Sequence, residues 1–128
     1  MKTFTVIAVI CVGIIGFYFY SNGRVDNTSV QQTQSKIVYV KYRDAGPVDL
    51  NHPDFEYQDT LKSSFVGGAW YDYTEDYMII KLRDTYYHYC DLPSSIWSSF
   101  QKANSFGSFY ESKIQGNYSC RNQEVPSY

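Results

Sequence analysis

Residues that could carry metal or redox chemistry are few and widely spaced in this chain. Its two histidines, His52 and His88, lie 36 positions apart, and Cys90 and Cys120 are the two cysteines that follow the N-terminal apolar segment. Zinc sites usually take their ligands from closely spaced Cys and His pairs, which this pattern does not provide. The sequence therefore predicts no metal site and no cofactor.

The hydroxyl side chains offer no recognisable nucleophile. Ser63 and Ser64 precede a predicted strand and Ser105 lies at a predicted helix start, where serine hydroxyls ordinarily close turns and cap helices. Covalent and acid–base catalysis need a nucleophile beside a base, or carboxylates brought together in a pocket, and the sequence shows neither pattern. We therefore predict no catalytic residue and infer no small-molecule substrate.

Cys90 and Cys120 have two interpretations, which depend on the compartment. In an oxidising compartment they would pair, and a bridge closing a loop of about 30 residues would stabilise the fold by roughly 3 to 4 kcal/mol. In the cytosol they would instead be two free, buried thiols. The pair is thus a disulfide candidate whose state reports on localisation.

The N-terminal segment determines the expected compartment. After Lys2, residues 4–20 form an apolar run without a charge, close to the shortest length that spans a bilayer as a helix. Residues 1–20 are therefore predicted to be a membrane-inserted signal anchor, residues 21–35 a polar linker, and residues 36–128 a folded domain outside the cytoplasm, in the periplasm or cell envelope. A cleaved signal, which would release the domain as a secreted protein, is the alternative.

The domain is rich in tyrosine and weakly acidic. The chain contains 14 Tyr, and from Lys36 to the end nine Lys and Arg stand against twelve Asp and Glu, a net charge of −3. This balance disfavours a nucleic-acid surface, whereas tyrosine is a common anchor in protein interfaces. We expect a protein or envelope component as the partner and keep RNA or single-stranded nucleic acid as the alternative.

The binding candidates come from one predicted strand and from basic residues. Alternation along the strand puts Tyr86, His88 and Cys90 on one side and Tyr87 and Tyr89 on the other. We expect Tyr87 and Tyr89 in or near the core, and Tyr86 and His88 exposed for stacking or hydrogen bonding. The basic candidates, which would contact phosphates if the partner were a nucleic acid, are Lys81, Arg83, Lys102 and Lys113.

The hydrophobic pattern predicts strands first and helices after them. A first strand is expected over residues 37–42, and residues 65–71, 77–82 and 86–90 are expected to form an antiparallel meander because short turns separate them.

Two C-terminal helices are expected to pack on this sheet. The first begins at Pro93 with Asp91 as its cap, and the second covers about residues 105–115 and ends at Gly116. The face of the first helix that packs on the sheet is expected to contain Ile96, Trp97, Phe100 and Ala103. The prediction is an α+β fold in two layers, a small meander of three or four strands under two helices, preceded by the N-terminal hydrophobic helix.

An ordered set of short motifs between about residues 60 and 121 resembles the KTSC domain family. The motifs are Leu61-Lys62-Ser63-Ser64, Tyr71-Asp72, Tyr87-His88-Tyr89, Leu92-Pro93, Ala103-Asn104-Ser105-Phe106-Gly107, Phe109-Tyr110 and Ile114-Gln115-Gly116-Asn117-Tyr118. The resemblance implies a small module that occurs alone or at the C-terminus of some lysyl-tRNA synthetases. Its role is unassigned, and RNA binding has been suggested from that association.

The predicted export signal argues against an RNA role, because it would place the module where tRNA is absent. The sequence therefore favours a membrane-anchored, non-catalytic interaction module that binds an envelope or protein partner. If the gene belongs to a phage or prophage, exclusion of a second infecting phage is an example of the role expected for such a module.

Overall fold

The computed structural model describes residues 34–128, which form one compact unit. The predicted anchor and most of the predicted linker lie outside the described residues. The strands are β1 (Ile37–Val38), β2 (Val48–Asp49), β3 (Phe55–Gln58), β4 (Val66–Asp72), β5 (Tyr77–Leu82) and β6 (Thr85–Tyr89). They are followed by helix α1 (Ser94–Gln101), helix α2 (Phe106–Phe109) and a π-helical segment (Tyr110–Ile114) that continues α2.

The central element is an antiparallel four-stranded sheet in the order β3-β4-β5-β6. Tyr71 pairs with Met78 across the first hairpin, and Leu82 pairs with Thr85 across the two-residue turn of the second. Strands joined by such short turns must lie next to each other, so the predicted meander of three strands is confirmed to within one residue at each end.

The first strand differs from its prediction. Only Ile37 and Val38 form a strand, which pairs with β2 in a separate two-stranded sheet. After Val38, Val40 forms a single bridge with Tyr86 of β6, and a turn follows in which Arg43 N–H donates to Val40 C=O at 3.3 Å. The fourth strand of the meander is instead β3, in a segment for which no strand was predicted. As an edge strand, β3 is paired on one side only, by β4.

The helices cover one face of the sheet and bury the larger core cluster. Trp97, Phe100 and Ile114 are fully buried against Tyr71 and Ile80, among other residues of the sheet. Within the expected apolar face of α1, Trp97 and Phe100 are confirmed as core residues and Ile96 is partly buried against the core. Ala103 lies after the end of α1 and is not part of this cluster. Burying side chains as large as Trp97 is the main stabilising contribution of this layer.

The helix ends agree only in part with the sequence. Pro93 is the N-cap of α1 without a side-chain cap, so the prediction that Asp91 caps the helix is wrong. Asp91 adopts a left-handed backbone (φ 52°) in the turn after β6. Ser105 does cap α2, because its Oγ accepts from Ser108 N–H at 3.3 Å, and Gly116 follows the π-helical segment at φ +79°.

The opposite face of the sheet is also covered, so the fold has three layers rather than the two expected. Trp70, Tyr77 and Ile79 lie on this face, beneath residues 38–50 and the C-terminal residues 120–128. Because both faces of the sheet carry large apolar side chains, both need a cover. The chain segments on either side of the meander supply the second one.

Within the described residues, no helix combines the length and apolar character needed to cross a membrane.

Candidate binding groove beside the edge strand

An open groove of about 1370 Å³ runs beside β6, one of the two edge strands of the sheet. Residues 41–45 border it on one side and residues 119–125 on another, while side chains of β6 and Tyr110 also line it. We call residues 119–128 the C-terminal arm. The groove is therefore built from the sheet edge together with the segments that precede and follow the meander and helices.

The outer edge of β6 already bonds to other segments of the fold at both of its ends. Lys41 N–H donates to Tyr86 C=O at 2.8 Å, and Cys90 N–H donates to Tyr118 C=O at 3.1 Å. Backbone groups two residues apart on a strand point the same way, so His88 also directs its N–H and C=O away from β5. No backbone hydrogen bond from residues 34–128 reaches His88 on that side.

Tyrosines form much of the groove wall. Tyr89 Oη and Tyr110 Oη share a hydrogen bond of 2.6 Å, and burial raises the pKa of both hydroxyls above the ordinary tyrosine value. Both therefore stay protonated at neutral pH and act as hydrogen-bonding groups rather than bases. Tyr87 also lines the groove and is half-buried.

A hydrogen-bond chain runs from the buried Arg43 to the groove residues His88 and Tyr42. Arg43, only 8% exposed, donates from Nη1 to Tyr77 Oη at 3.1 Å, and Tyr77 Oη lies 3.0 Å from His88 Nδ1. His88 Nε2 lies 3.2 Å from Tyr42 C=O, an acceptor only, so Nε2 carries the proton and Nδ1 accepts from the Tyr77 hydroxyl. Every donor and acceptor in this hydrogen-bond chain has a partner only when His88 is neutral.

Two pKa shifts agree with this assignment. Burial raises the pKa of Tyr77 to about 12, although the Arg43 guanidinium opposes the rise. Burial also lowers the pKa of His88 below its ordinary value, and the nearby Arg43 charge acts in the same direction. At neutral pH this hydrogen-bond chain therefore contains the neutral Tyr77 phenol and the neutral His88 imidazole beside the Arg43 cation.

We expect acid to destabilise the fold through His88. Because the folded-state pKa of His88 is lowered, the unfolded chain binds more protons than the folded chain as the pH falls. The stability that neutral His88 contributes is therefore present above about pH 6.5 and is lost as pH falls towards the folded-state pKa. Urea unfolding between about pH 7.5 and pH 5 should show the loss, and His88→Gln should flatten it. His52→Gln is the control, and an unchanged slope in His88→Gln would remove His88 as the cause.

Comparison with known proteins identifies the middle of the chain. Residues 62–118 match the family model described as the KTSC domain. This stretch is a KTSC domain. The chain is also similar to the crystal structure of a KTSC domain protein from Yersinia pestis, with 26% identity, coverage of 51% of this chain and 92% of that chain, and a TM-score of 0.48. No curated protein matches the chain.

The groove lies partly inside and partly outside the KTSC domain. The domain contributes β6 and Tyr110, whereas residues 41–45 precede it and the C-terminal arm follows it. Arg43 and Tyr42 also lie outside the family match. The flanking segments and the KTSC domain together therefore shape this groove.

The structure corrects the expected exposure of Tyr86 and His88. Both are half-buried, because residues 36–45 and the arm cover that side of the sheet. Tyr86 packs on Trp70 with ring centroids 5.9 Å apart. As expected, Tyr87 and Tyr89 pack against the helix-side core of the KTSC domain.

The basic candidates do not form one surface. Lys81 Nζ lies 5.6 Å from the Tyr86 ring centroid, and the Arg83 guanidinium lies 5.7 Å from the Phe65 ring centroid, where Arg83 lines the groove. Lys102 and Lys113 are exposed in the helical part of the KTSC domain and do not line the groove. The structure thus brings Arg83 and His88 to one site and leaves the two helical lysines elsewhere.

A disulfide joins Cys90 at the end of β6 to Cys120 in the arm, with the Cα atoms 4.9 Å apart. The arm residues next to Cys120 bond among themselves, since Arg121 N–H donates to Ser119 Oγ and Gln123 N–H donates to Cys120 C=O. Farther along the arm, Pro126 C=O accepts from Arg43 and Tyr128 Oη donates to Asp72 at 2.8 Å. The disulfide therefore adds a covalent tie to the hydrogen bonds that hold the arm against the rest of the fold.

Sequence reasoning missed Tyr42, Arg43 and Tyr77 as parts of this site. Arg43 counts in the sequence as a surface charge, yet it is buried because Tyr77 Oη and the carbonyl oxygens of Gly46 and Pro126 accept its N–H groups. No local pattern signals such a contact between residues 83 positions apart. Within residues 34–128, no group of three or more His, Cys, Asp or Glu side chains is placed to hold a metal ion.

Proposed function

We propose that the KTSC domain and its flanking segments form a non-catalytic interaction module that binds an extended segment of a partner protein in the β6 groove. The observation that carries this proposal is the pairing at the edge of β6. Lys41 N–H bonds to Tyr86 C=O and Tyr118 C=O accepts from Cys90 N–H, while no backbone hydrogen bond among residues 34–128 reaches the outer side of His88 between them. A polypeptide is the natural complement of an unfilled strand edge.

The size and composition of the groove support the same class of partner. Small-molecule pockets usually measure about 300 to 1,000 Å³, and this open groove is larger, at about 1370 Å³. Its tyrosine side chains supply large contact areas with few rotatable bonds, which is typical of protein-binding surfaces.

The groove residues that could take part in catalysis have other partners. Both ring nitrogens of His88 are hydrogen-bonded within the fold, and Cys120 is in a disulfide. Burial keeps the hydroxyls of Tyr89 and Tyr110 protonated. These contacts favour binding over catalysis at this site.

A displayed library of random twelve-residue peptides tests the proposal on the full chain. We expect the wild type to enrich a related set of peptides, and Gln115→Trp, which fills an exposed part of the groove wall, to bind them at least about tenfold more weakly. Ser112→Trp is the matched control, because Ser112 is exposed but does not line the groove. Failure to enrich any peptide, or equal weakening by both variants, would overturn the proposal.

We also propose that residues 4–20 anchor the module in a membrane, with the domain outside the cytoplasm, or that it is secreted if the signal is cleaved. The Cys90–Cys120 bridge supports this location, because such bridges persist mainly in oxidising compartments. In a phage or prophage, binding an envelope protein would fit a role in excluding a second phage. Trapping free thiols with a maleimide in native cells tests the location, and thiols that react only after permeabilisation would contradict it.

Nucleic-acid binding is the alternative to peptide binding as the function of this module. The contact of Lys81 with Tyr86 is the observation that favours it, since a base could stack beside a cation there. A salt-dependent shift of labelled single-stranded RNA by the full chain, weakened by Lys81→Ala, would replace the peptide proposal with this one.

A further inference from the structure

Tyr42 has a backbone conformation that tyrosine seldom adopts. Its φ of 66° lies in the left-handed region, within the turn that Arg43 N–H closes onto Val40 C=O. At such a turn position glycine or asparagine is the unstrained choice, because a Cβ atom crowds the backbone. The fold therefore accepts local strain at this residue.

Burial of the side chain does not offset that strain. Tyr42 is 77% exposed. Its ring centroid lies 6.5 Å from that of Tyr87, and Lys41 Nζ lies 5.0 Å from the Tyr42 centroid and 5.6 Å from the Tyr87 centroid. The contacts of the ring are with groups that are themselves exposed or half-buried, so they contribute little to folding.

The position of Tyr42 is nevertheless well supported. Its carbonyl oxygen accepts from His88 Nε2, and His88 is oriented by Tyr77, which the buried Arg43 contacts in turn. This hydrogen-bond chain, which begins at the buried Arg43, therefore holds a strained, exposed tyrosine at the rim of the groove. Strain that is supported by the surrounding structure occurs most often at functional sites.

We propose that Tyr42 is the main binding anchor of the groove and takes an aromatic side chain of the partner segment. This inference rests on the proposed peptide-binding function. The Tyr42 and Tyr87 rings, tilted by 46°, offer two aromatic surfaces, and the exposed Lys41 ammonium between them completes a site for the face of a third ring.

Tyr42→Gly separates binding from stability. The glycine fits the left-handed turn without strain, so the urea midpoint of the full chain should stay the same or rise. Binding of the peptides enriched by the wild type should weaken about tenfold or more, while Tyr42→Phe should keep most of it. Tyr39→Ser is the control, because Tyr39 is 83% exposed and does not line the groove.

The enriched peptides supply the second half of the test. Each should contain an aromatic residue, and its replacement by alanine should weaken binding to the wild type far more than to Tyr42→Gly. Peptides that bind Tyr42→Gly as tightly as the wild type would overturn the anchor while leaving the groove proposal intact. A lowered urea midpoint would make Tyr42 a structural residue, and a lack of any enriched peptide would refute the groove itself.

Discussion

Removing the Cys90–Cys120 bridge should lower the free energy of unfolding by about 3 to 4 kcal/mol. The bridge links residues 30 positions apart, and closing a loop of that length in the unfolded chain reduces its entropy by about this amount in the chain-entropy model. For a domain of this size, whose total stability is on the order of 5 to 10 kcal/mol, this is a large share. Urea unfolding of the full chain before and after reduction measures the loss.

Two measurements distinguish an effect of the bridge on the unfolded state from damage to the folded state. The reduced chain should show a larger dependence on urea, because an unfolded chain without the cross-link exposes more surface. A Cys90→Ala, Cys120→Ser double variant should match the reduced wild type, since Cys90 is buried and Cys120 is half-buried. A loss below about 1 kcal/mol would mean that other contacts already restrict the arm in the unfolded chain.

The bridge also illustrates which long-range contacts a sequence can predict. Two cysteines after an apolar N-terminal segment are a recognisable pair, so their pairing was open to prediction although the connection spans 30 residues. Arg43 and Pro126 are equally distant partners, but an arginine and a backbone carbonyl carry no signal of their pairing. The position of the arm could therefore be predicted at Cys120 and not beyond it.

Local hydrophobic patterns explain the part of the fold that was predicted well. Strands β4 to β6 are neighbours in sequence and in space, so their alternation and short turns are sufficient evidence. The third layer was missed because its cover consists of short, mostly polar segments with single apolar residues such as Val48 and Val125. Their burial depends on the sheet face beneath them, which the segments themselves do not reveal.

The candidate site shows the same limit. Alternation correctly separated Tyr87 and Tyr89 from Tyr86 and His88, yet it could not show that a third layer covers the second pair. Tyr42 looked like the end of a strand, because residues 37–42 are mostly β-branched and aromatic and the turn that ends the segment contains no glycine. Its importance depends on its backbone angle, which residue type alone would not suggest.

The second large effect is expected at Gly68, where replacement by alanine should lower the free energy of unfolding by about 2 to 4 kcal/mol. Gly68 has φ +136° at the irregularity between β4 and β5, and an added Cβ would lie 2.8 Å from Trp70 Cη2 and 3.2 Å from Tyr57 Cε2. The backbone strain costs about 1 to 3 kcal/mol, and the overpacking costs about 1 to 3 kcal/mol as well.

The surroundings of Trp70 leave its ring little freedom to move away from a new Cβ at residue 68. Trp70 is 4% exposed, with the Tyr57 ring centroid 5.1 Å away and Lys36 Nζ 5.1 Å from the Trp70 ring centroid. The neighbouring Gly67 is the matched control, because a Cβ there would meet the flexible Lys81 side chain, with Cδ 3.1 Å away. Gly67→Ala should therefore change the free energy of unfolding by less than about 1 kcal/mol. Urea unfolding of both variants decides the matter, since equal losses would indicate a general cost of losing glycine in this strand rather than a specific clash with the aromatic cover.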